Sequence, residues 1–250
     1  MDTVLFMIVF IRIVIMMMFI PVFGSPTVPW IAKMGFCGFL ALIVTSNLNL
    51  DISGLGSAEL FISIVRDFLI AIAIGLVVRF IFDGIQLAGE YISYQMGLTV
   101  MNIIDPLSNT QIPIVSQLKQ LLALLIFFAV DGHHYLIKAV VSSFEYVPVG
   151  SQMFGQQFLK EVIKVSGRIF LIALQLSSPI LVAMFVTNVA MGIIARAMPQ
   201  INIFVLSFPV YIGLSLIIMG VFMPFFFKFI KNSMYLMILD VNKTIQLIGG

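Results

Sequence analysis

Long charge-free stretches alternate with short polar breaks along most of the chain. No charge interrupts Ile13–Ala32 (20 residues), Met34–Leu50 (17), Ile169–Ala195 (27) or Ala197–Phe227 (31). Two more apolar segments tolerate charges. Arg66, Asp67 and Arg79 fall in about 58–82, and Lys119, Asp131 and Lys138 in about 118–140. A spanning helix needs about 20 mostly apolar residues, so the pattern predicts an all-α integral membrane protein with about six long apolar helices. The sequence lacks the ten-residue alternation that a transmembrane β-barrel requires. Pro21, Gly24, Pro26 and Pro29 end the first helix, and Asn47–Gly56 is the next break. Residues 101–116 are the least helical stretch, 145–160 form a longer polar loop, and Pro199 turns the last apolar tract into a hairpin.

Composition sharpens this reading. Of 250 residues, 61% are hydrophobic and 10% charged, against about 25% charged in an average soluble domain. Twenty-four ionic side chains (13 basic plus 11 acidic) are too few to cover a soluble globule of this size. The net charge of +2 gives no footprint for nucleic acid. The single cysteine, Cys37, excludes a disulfide framework and a multi-cysteine metal site. Asp2 stands where a signal peptide has its basic region, and Arg12 lies inside the apolar stretch, so the first helix is expected to be retained. Charge gives a weak topology. Lys138, Lys160, Lys164 and Arg168 would draw the 141–168 loop and the C-terminus to the cytoplasm.

A charge inside a membrane helix is costly. Arg12 is therefore either a contact to another subunit or pore, or a snorkelling or internally paired side chain. Gly89, Ser93 and Gly97 recur every four residues beside Glu90, a spacing that lets a second helix backbone approach closely. Met184, Asn188, Gly192 and Arg196 form a comparable polar stripe. The run Asp131-Gly132-His133-His134 has the residue types of a metal cluster. Adjacent helical histidines point about 100° apart, however, and no third histidine or nearby cysteine completes a coordination sphere, so a polar helix end is expected instead. Sixteen methionines read mainly as core filling, with a pliable pore lining as the functional alternative. There is no P-loop, G-x-S-x-G or H-E-x-x-H. No catalytic residue, cofactor or metal is expected.

Between long helices, Asp105-Pro106-Leu107-Ser108-Asn109-Thr110-Gln111-Ile112-Pro113 stands out as irregular. Irregular backbone at membrane depth is tolerated only inside protein or beside a water-filled cavity. Ser108, Asn109, Thr110 and Gln111 can hydrogen-bond in such a cavity while Leu107 and Ile112 close it. The segment is thus a pore plug or an ordinary surface loop.

These features come together in a resemblance. Gly89-Glu90, Met96-Gly97-Leu98, Asp105-Pro106, Gln111-Ile112-Pro113, Asp131–His134, Ser143-Phe144, Pro148-Val149-Gly150, Met198–Phe204 and Phe208-Pro209 follow one another in the order and separations of the FliR family of flagellar biosynthetic proteins, components of the type III export gate. The match is strongest along about 85–210. The tract from about Arg168 to Met237 is also similar to the two-helix partner FliQ, through Pro179, the Pro199–Asn202 turn and Phe208-Pro209.

The resemblance implies a single membrane-embedded domain over 1–250. Residues 1–167 would be FliP-like, with a plug loop at about 105–116, and 168–250 would be a FliQ-like hairpin and tail. It implies a hetero-oligomeric helical complex with FliP and FliQ, a contact to FlhB, and unfolded export substrates passing through the channel. Membrane lipid is a further partner and nucleic acid is not. The location would be the bacterial inner membrane, at the flagellar basal body. By this likeness Gly89, Glu90, Ser93, Gly97, Asn188 and Gly192 pack helices in the assembly, and Arg196, Pro199, Gln200 and Asn202 form a cytoplasm-facing turn, against the charge-based topology. The homologous subunit of a virulence type III system is similar too, though the 131–134 and 143–150 stretches look more flagellar. A small-solute transporter, with helices broken near Pro179 and Pro209, and an intramembrane hydrolase are rivals from other classes.

Overall fold

The computed structural model describes residues 3–25, 28–48, 57–98, 113–147, 155–200 and 202–249. Among the described residues the ordered elements are all helices: α1 (Thr3–Phe19), α2 (Pro21–Gly24), α3 (Trp30–Asn47), α4 (Ser57–Gln95), α5 (Ile114–Ala129), α6 (Gly132–Tyr146), α7 (Gln156–Ala197), α8 (Ile203–Val221) and α9 (Met223–Gly249). Three of these, α3, α4 and α7, are individually long and apolar enough to cross a membrane. The count rises to five if the interrupted pairs α5–α6 and α8–α9 each make one span. The sixth apolar element is α1, at 17 residues below that length.

Several boundaries differ from the hydropathy pattern, each for a local reason. The segment 118–140 is broken, not continuous, because Asp131 adopts a left-handed conformation (φ 56°) ahead of α6. A Cβ at Gly132 would collide with the ring of Phe127, so glycine is required beside it. The tract 197–227 breaks a second time at Phe222, beyond the Pro199 turn. The irregular stretch 101–116 is too long at its end. Ile114, Val115 and Ser116 are already helical, with Gln117 donating its N–H to the Pro113 carbonyl at 3.1 Å. Proline before the first helical residue forfeits no helical bond.

Neither Pro179 nor Pro209 breaks its helix: α7 and α8 run through them. The hydroxyl of Ser178 donates to the carbonyl of Gln175, the one that Pro179 leaves without its helical donor, at 3.1 Å. The broken helices on which a transporter reading depends are therefore not present at these prolines.

The chain packs as two compact units. One holds 1–81, 127–167 and 234–250, the other 82–126 and 168–233. The second unit's later contribution begins at Arg168. In the first unit α1 packs against α3. Leu5, Ile8, Val9, Ile13, Met16 and Met17 line one stripe of α1, and Cys37, Ala41 and Val44 one stripe of α3. Gly75 of α4 admits the Phe19 side chain, where any Cβ would overlap it. In the second unit Ile92 of α4, Met96 in the turn after it, Val115 of α5, and Ile180 and Met184 of α7 form one buried cluster. Tyr211, Ile212, Leu214, Ile218 and Met219 of α8 pack against it.

Candidate functional site

The helix ends flanking residues 99–112 are fixed by specific local chemistry in the second unit. At the end of α4, Gly97 N–H donates to the Tyr94 carbonyl (3.0 Å) and Leu98 N–H to the Ser93 carbonyl (3.1 Å), with Gly97 at φ +75°. This six-to-one, five-to-two pair of bonds is a Schellman stop, which needs a left-handed residue at that point. Gly97 is thus the helix terminator and not a further position on the Gly89–Ser93 face. Its missing side chain also makes room for the Phe208 ring of α8. At the other end, α5 starts straight after Pro113. The Ser116 hydroxyl donates to the Gln86 carbonyl at 2.8 Å. Gly89 brings the backbone of Ser116 so close that any Cβ there would collide with it. Ser93 is fully buried and turns its hydroxyl onto the Gly89 carbonyl (2.8 Å), which leaves an apolar, closely packed face. Glu90 sits at the edge of this contact and accepts from Gln86 Nε2 at 3.0 Å. Asp105, Pro106, Leu107, Ser108, Asn109, Thr110, Gln111 and Ile112 lie outside the described residues. Of the expected plug only Pro113 is described, at the foot of α5.

The second stripe is arranged differently. Met184 is buried in the cluster, whereas Asn188, Gly192 and Arg196 are exposed, and among the described residues no atom lies within 4 Å of a Cβ at Gly192. Around them Phe185, Val189 and Ile193 are also exposed, so this end of α7 is a bare apolar face. At the turn, Pro199 and Gln200 are exposed, and Asn202 caps α8 by accepting the Val205 N–H at 3.4 Å.

In the first unit the two readings of Arg12 resolve to an internal pair. Its guanidinium is fully buried, 2.5 Å from Asp67 Oδ1, and donates to the carbonyls of Ser143 (3.1 Å) and Val147 (2.9 Å) at the C-terminal end of α6. It also lies 4.3 Å from the centroid of the Phe144 ring. The Ser143 carbonyl also accepts the Val147 N–H at 3.1 Å, so the cation adds a second bond there, and its charge complements the helix C-terminus. At the other end of α6, His134 Nδ1 stands 3.3 Å from Asp131 Oδ1, and the His133 and His134 rings lie 4.1 Å apart. Asp131, His133 and His134 can bring one donor atom each to within 4.8 Å of the others, closer than ideal helical spacing suggests. Sequence reasoning passed over Lys119. It is buried in the second unit, above the Phe226 ring at 4.8 Å. The only signal was its place as a lone charge among leucines.

An all-α chain with several helices long and apolar enough to span a membrane is a multi-pass membrane protein. Its sequence matches the bacterial export proteins, family 1, over residues 3–237, and the chain belongs to that family. It is similar to the flagellar biosynthetic protein FliR of Bacillus subtilis strain 168, with 33% identity over 247 residues, 98% of this chain and 95% of that protein. It is similar also to FliR of Escherichia coli K12 (30% over 213 residues, 85% of this chain and 81% of the relative). With FliR of Aquifex aeolicus the identity is 26% over 216 residues, 85% and 83% of the two chains.

Proposed function

We propose that this chain is a core, non-enzymatic component of the flagellar type III protein export gate in the bacterial inner membrane, forming part of the channel that passes unfolded flagellar substrates. The observation that carries the reading is the family match across residues 3–237, joined to relatives that are named flagellar biosynthetic proteins. Membership of an export family implies assembly with other proteins of the apparatus. FliP-like and FliQ-like subunits and an FlhB-like switch protein are the partners we assign. The exposed apolar face of α7 around Gly192 supports such an assembly, since no described residue of the chain covers it. Asp105–Pro113 is the plug of the channel. The firmly packed helix ends on either side of it support this role, because a plug must shift without unfolding what it hangs from.

Deleting the gene in its host should abolish secretion of hook and filament proteins into the medium, and a plasmid copy should restore it. Undiminished secretion by the deletion strain would overturn the reading. Removing Leu107–Ile112 should leave assembly intact and raise ion or small-solute leakage through the gate. A deletion variant that assembles and leaks no more than the parent refutes the plug.

A further inference from the structure

Lys119 of α5 is only 6% exposed, yet no carboxylate among the described residues pairs with it. Among the described residues its close partner is the Phe226 ring, whose centroid is 4.8 Å from Nζ. Lys119 lines a part-open apolar cleft in the second unit, walled also by Leu176, Pro179, Met219, Phe222 and Phe226. A buried charge is strongly unfavourable without a counter-charge, and a ring face offsets only part of that. Oily walls on one side of a single buried cation form a receptor for an amphiphile with an acidic head. A free inorganic anion would gain nothing from the phenylalanines and methionine. An acyl chain would gain from them, as in other apolar ligand sites that carry one well-placed polar group.

We propose that this cleft binds an acidic membrane lipid, with Lys119 as counter-ion to the headgroup and the Phe222–Met219 wall against the first part of the acyl chain. The site is distinct from the helix ends flanking residues 99–112, and it does not depend on the export function.

The test uses the full-length chain, extracted from membranes with whatever proteins co-purify, delipidated, and exposed to three probes. These are phosphatidylglycerol vesicles, phosphatidylcholine vesicles and inorganic phosphate. Phosphatidylglycerol should raise the melting temperature by several degrees and the other two should not. Lys119→Met should lower apparent affinity for phosphatidylglycerol at least tenfold, while Lys119→Arg keeps most of it. Met219→Trp, which fills the cleft and leaves the charge, should also weaken binding. Without acidic lipid, Lys119→Met should be no less stable than the parent, because it removes an uncompensated buried charge. Equal response to both lipids refutes the proposal, as does a response to phosphate alone. So does a Lys119→Met variant that binds phosphatidylglycerol normally, or one that only loses co-purifying protein, which would make the counter-ion a partner's carboxylate.

Discussion

Replacing Asp67 by Leu should be among the most damaging single changes in the first unit, and replacing Arg12 at the same time should repair much of the damage. In the parent the guanidinium is fully buried and has three acceptors: Asp67 Oδ1, Ser143 O and Val147 O. Without Asp67 the charge stays buried with only neutral carbonyls and the Phe144 face to offset it. Stripping one partner from a buried pair costs about 3–5 kcal/mol, whereas replacing both with apolar groups is often neutral or stabilising. Arg12 also caps α6, so Arg12→Met/Asp67→Leu forfeits its two carbonyl bonds, at roughly 1 kcal/mol net each. We expect the double variant to recover about 2 kcal/mol relative to Asp67→Leu alone. For a chain of this size a loss of 3–5 kcal/mol corresponds to a melting-point drop of roughly 6–20 °C. A thermal melt in detergent of the two single variants, the double variant and the parent closes the cycle. Strictly additive effects would show that the two side chains are not coupled, and the pair would lose its place as the lock of α1.

Other predictions separate packing within the chain from packing between chains. Gly89→Leu should lower the melting temperature of the isolated chain, since it overpacks the Ser116 backbone by roughly 1–3 kcal/mol or more. Gly192→Leu should leave the stability of the isolated chain within about 0.5 kcal/mol of the parent but block recovery of the export assembly. Assembly yields unchanged in Gly192→Leu would remove the α7 face from the interface. Gly97→Ala should cost at least the roughly 1–2 kcal/mol of a left-handed non-glycine residue, plus the displacement of Phe208, measured by the same melt. A photo-crosslinker at Gln200 should capture an FlhB-like protein from the cytoplasmic side; labelling from the periplasm alone would reverse the topology.

Much of this architecture was legible from local sequence, because hydropathy and proline placement act locally. The Pro199 hairpin and the end of the first helix near Pro21 follow from residues at those positions. The break at Asp131 depends on a left-handed residue beside a glycine that Phe127 covers, a tertiary contact no periodicity reports. Gly97 illustrates the same limit within a candidate site. The four-residue spacing of Gly89, Ser93 and Gly97 is real, yet the last of them ends the helix. Pairing Arg12 with Asp67 required knowing which of several intramembrane charges would meet, 55 residues apart. Lys119 was visible as a charge but not as a buried one, since burial depends on α9 folding back over it through Phe226.

The Arg12 cluster has a consequence for how the protein is made. Its acceptors lie 55, 131 and 135 residues downstream. At a synthesis rate of about 5–20 residues per second, the ribosome needs roughly 3–11 s after adding Arg12 to reach Asp67, and roughly 7–27 s to reach the α6 carbonyls. During that interval an arginine at mid-helix meets a lipid penalty that runs from about 2.5 kcal/mol upward. The newborn α1 is therefore a poor resident of the bilayer by itself. It must wait near the translocon or at the headgroup boundary until α4 and then α6 emerge, so the first helix made is among the last to be seated.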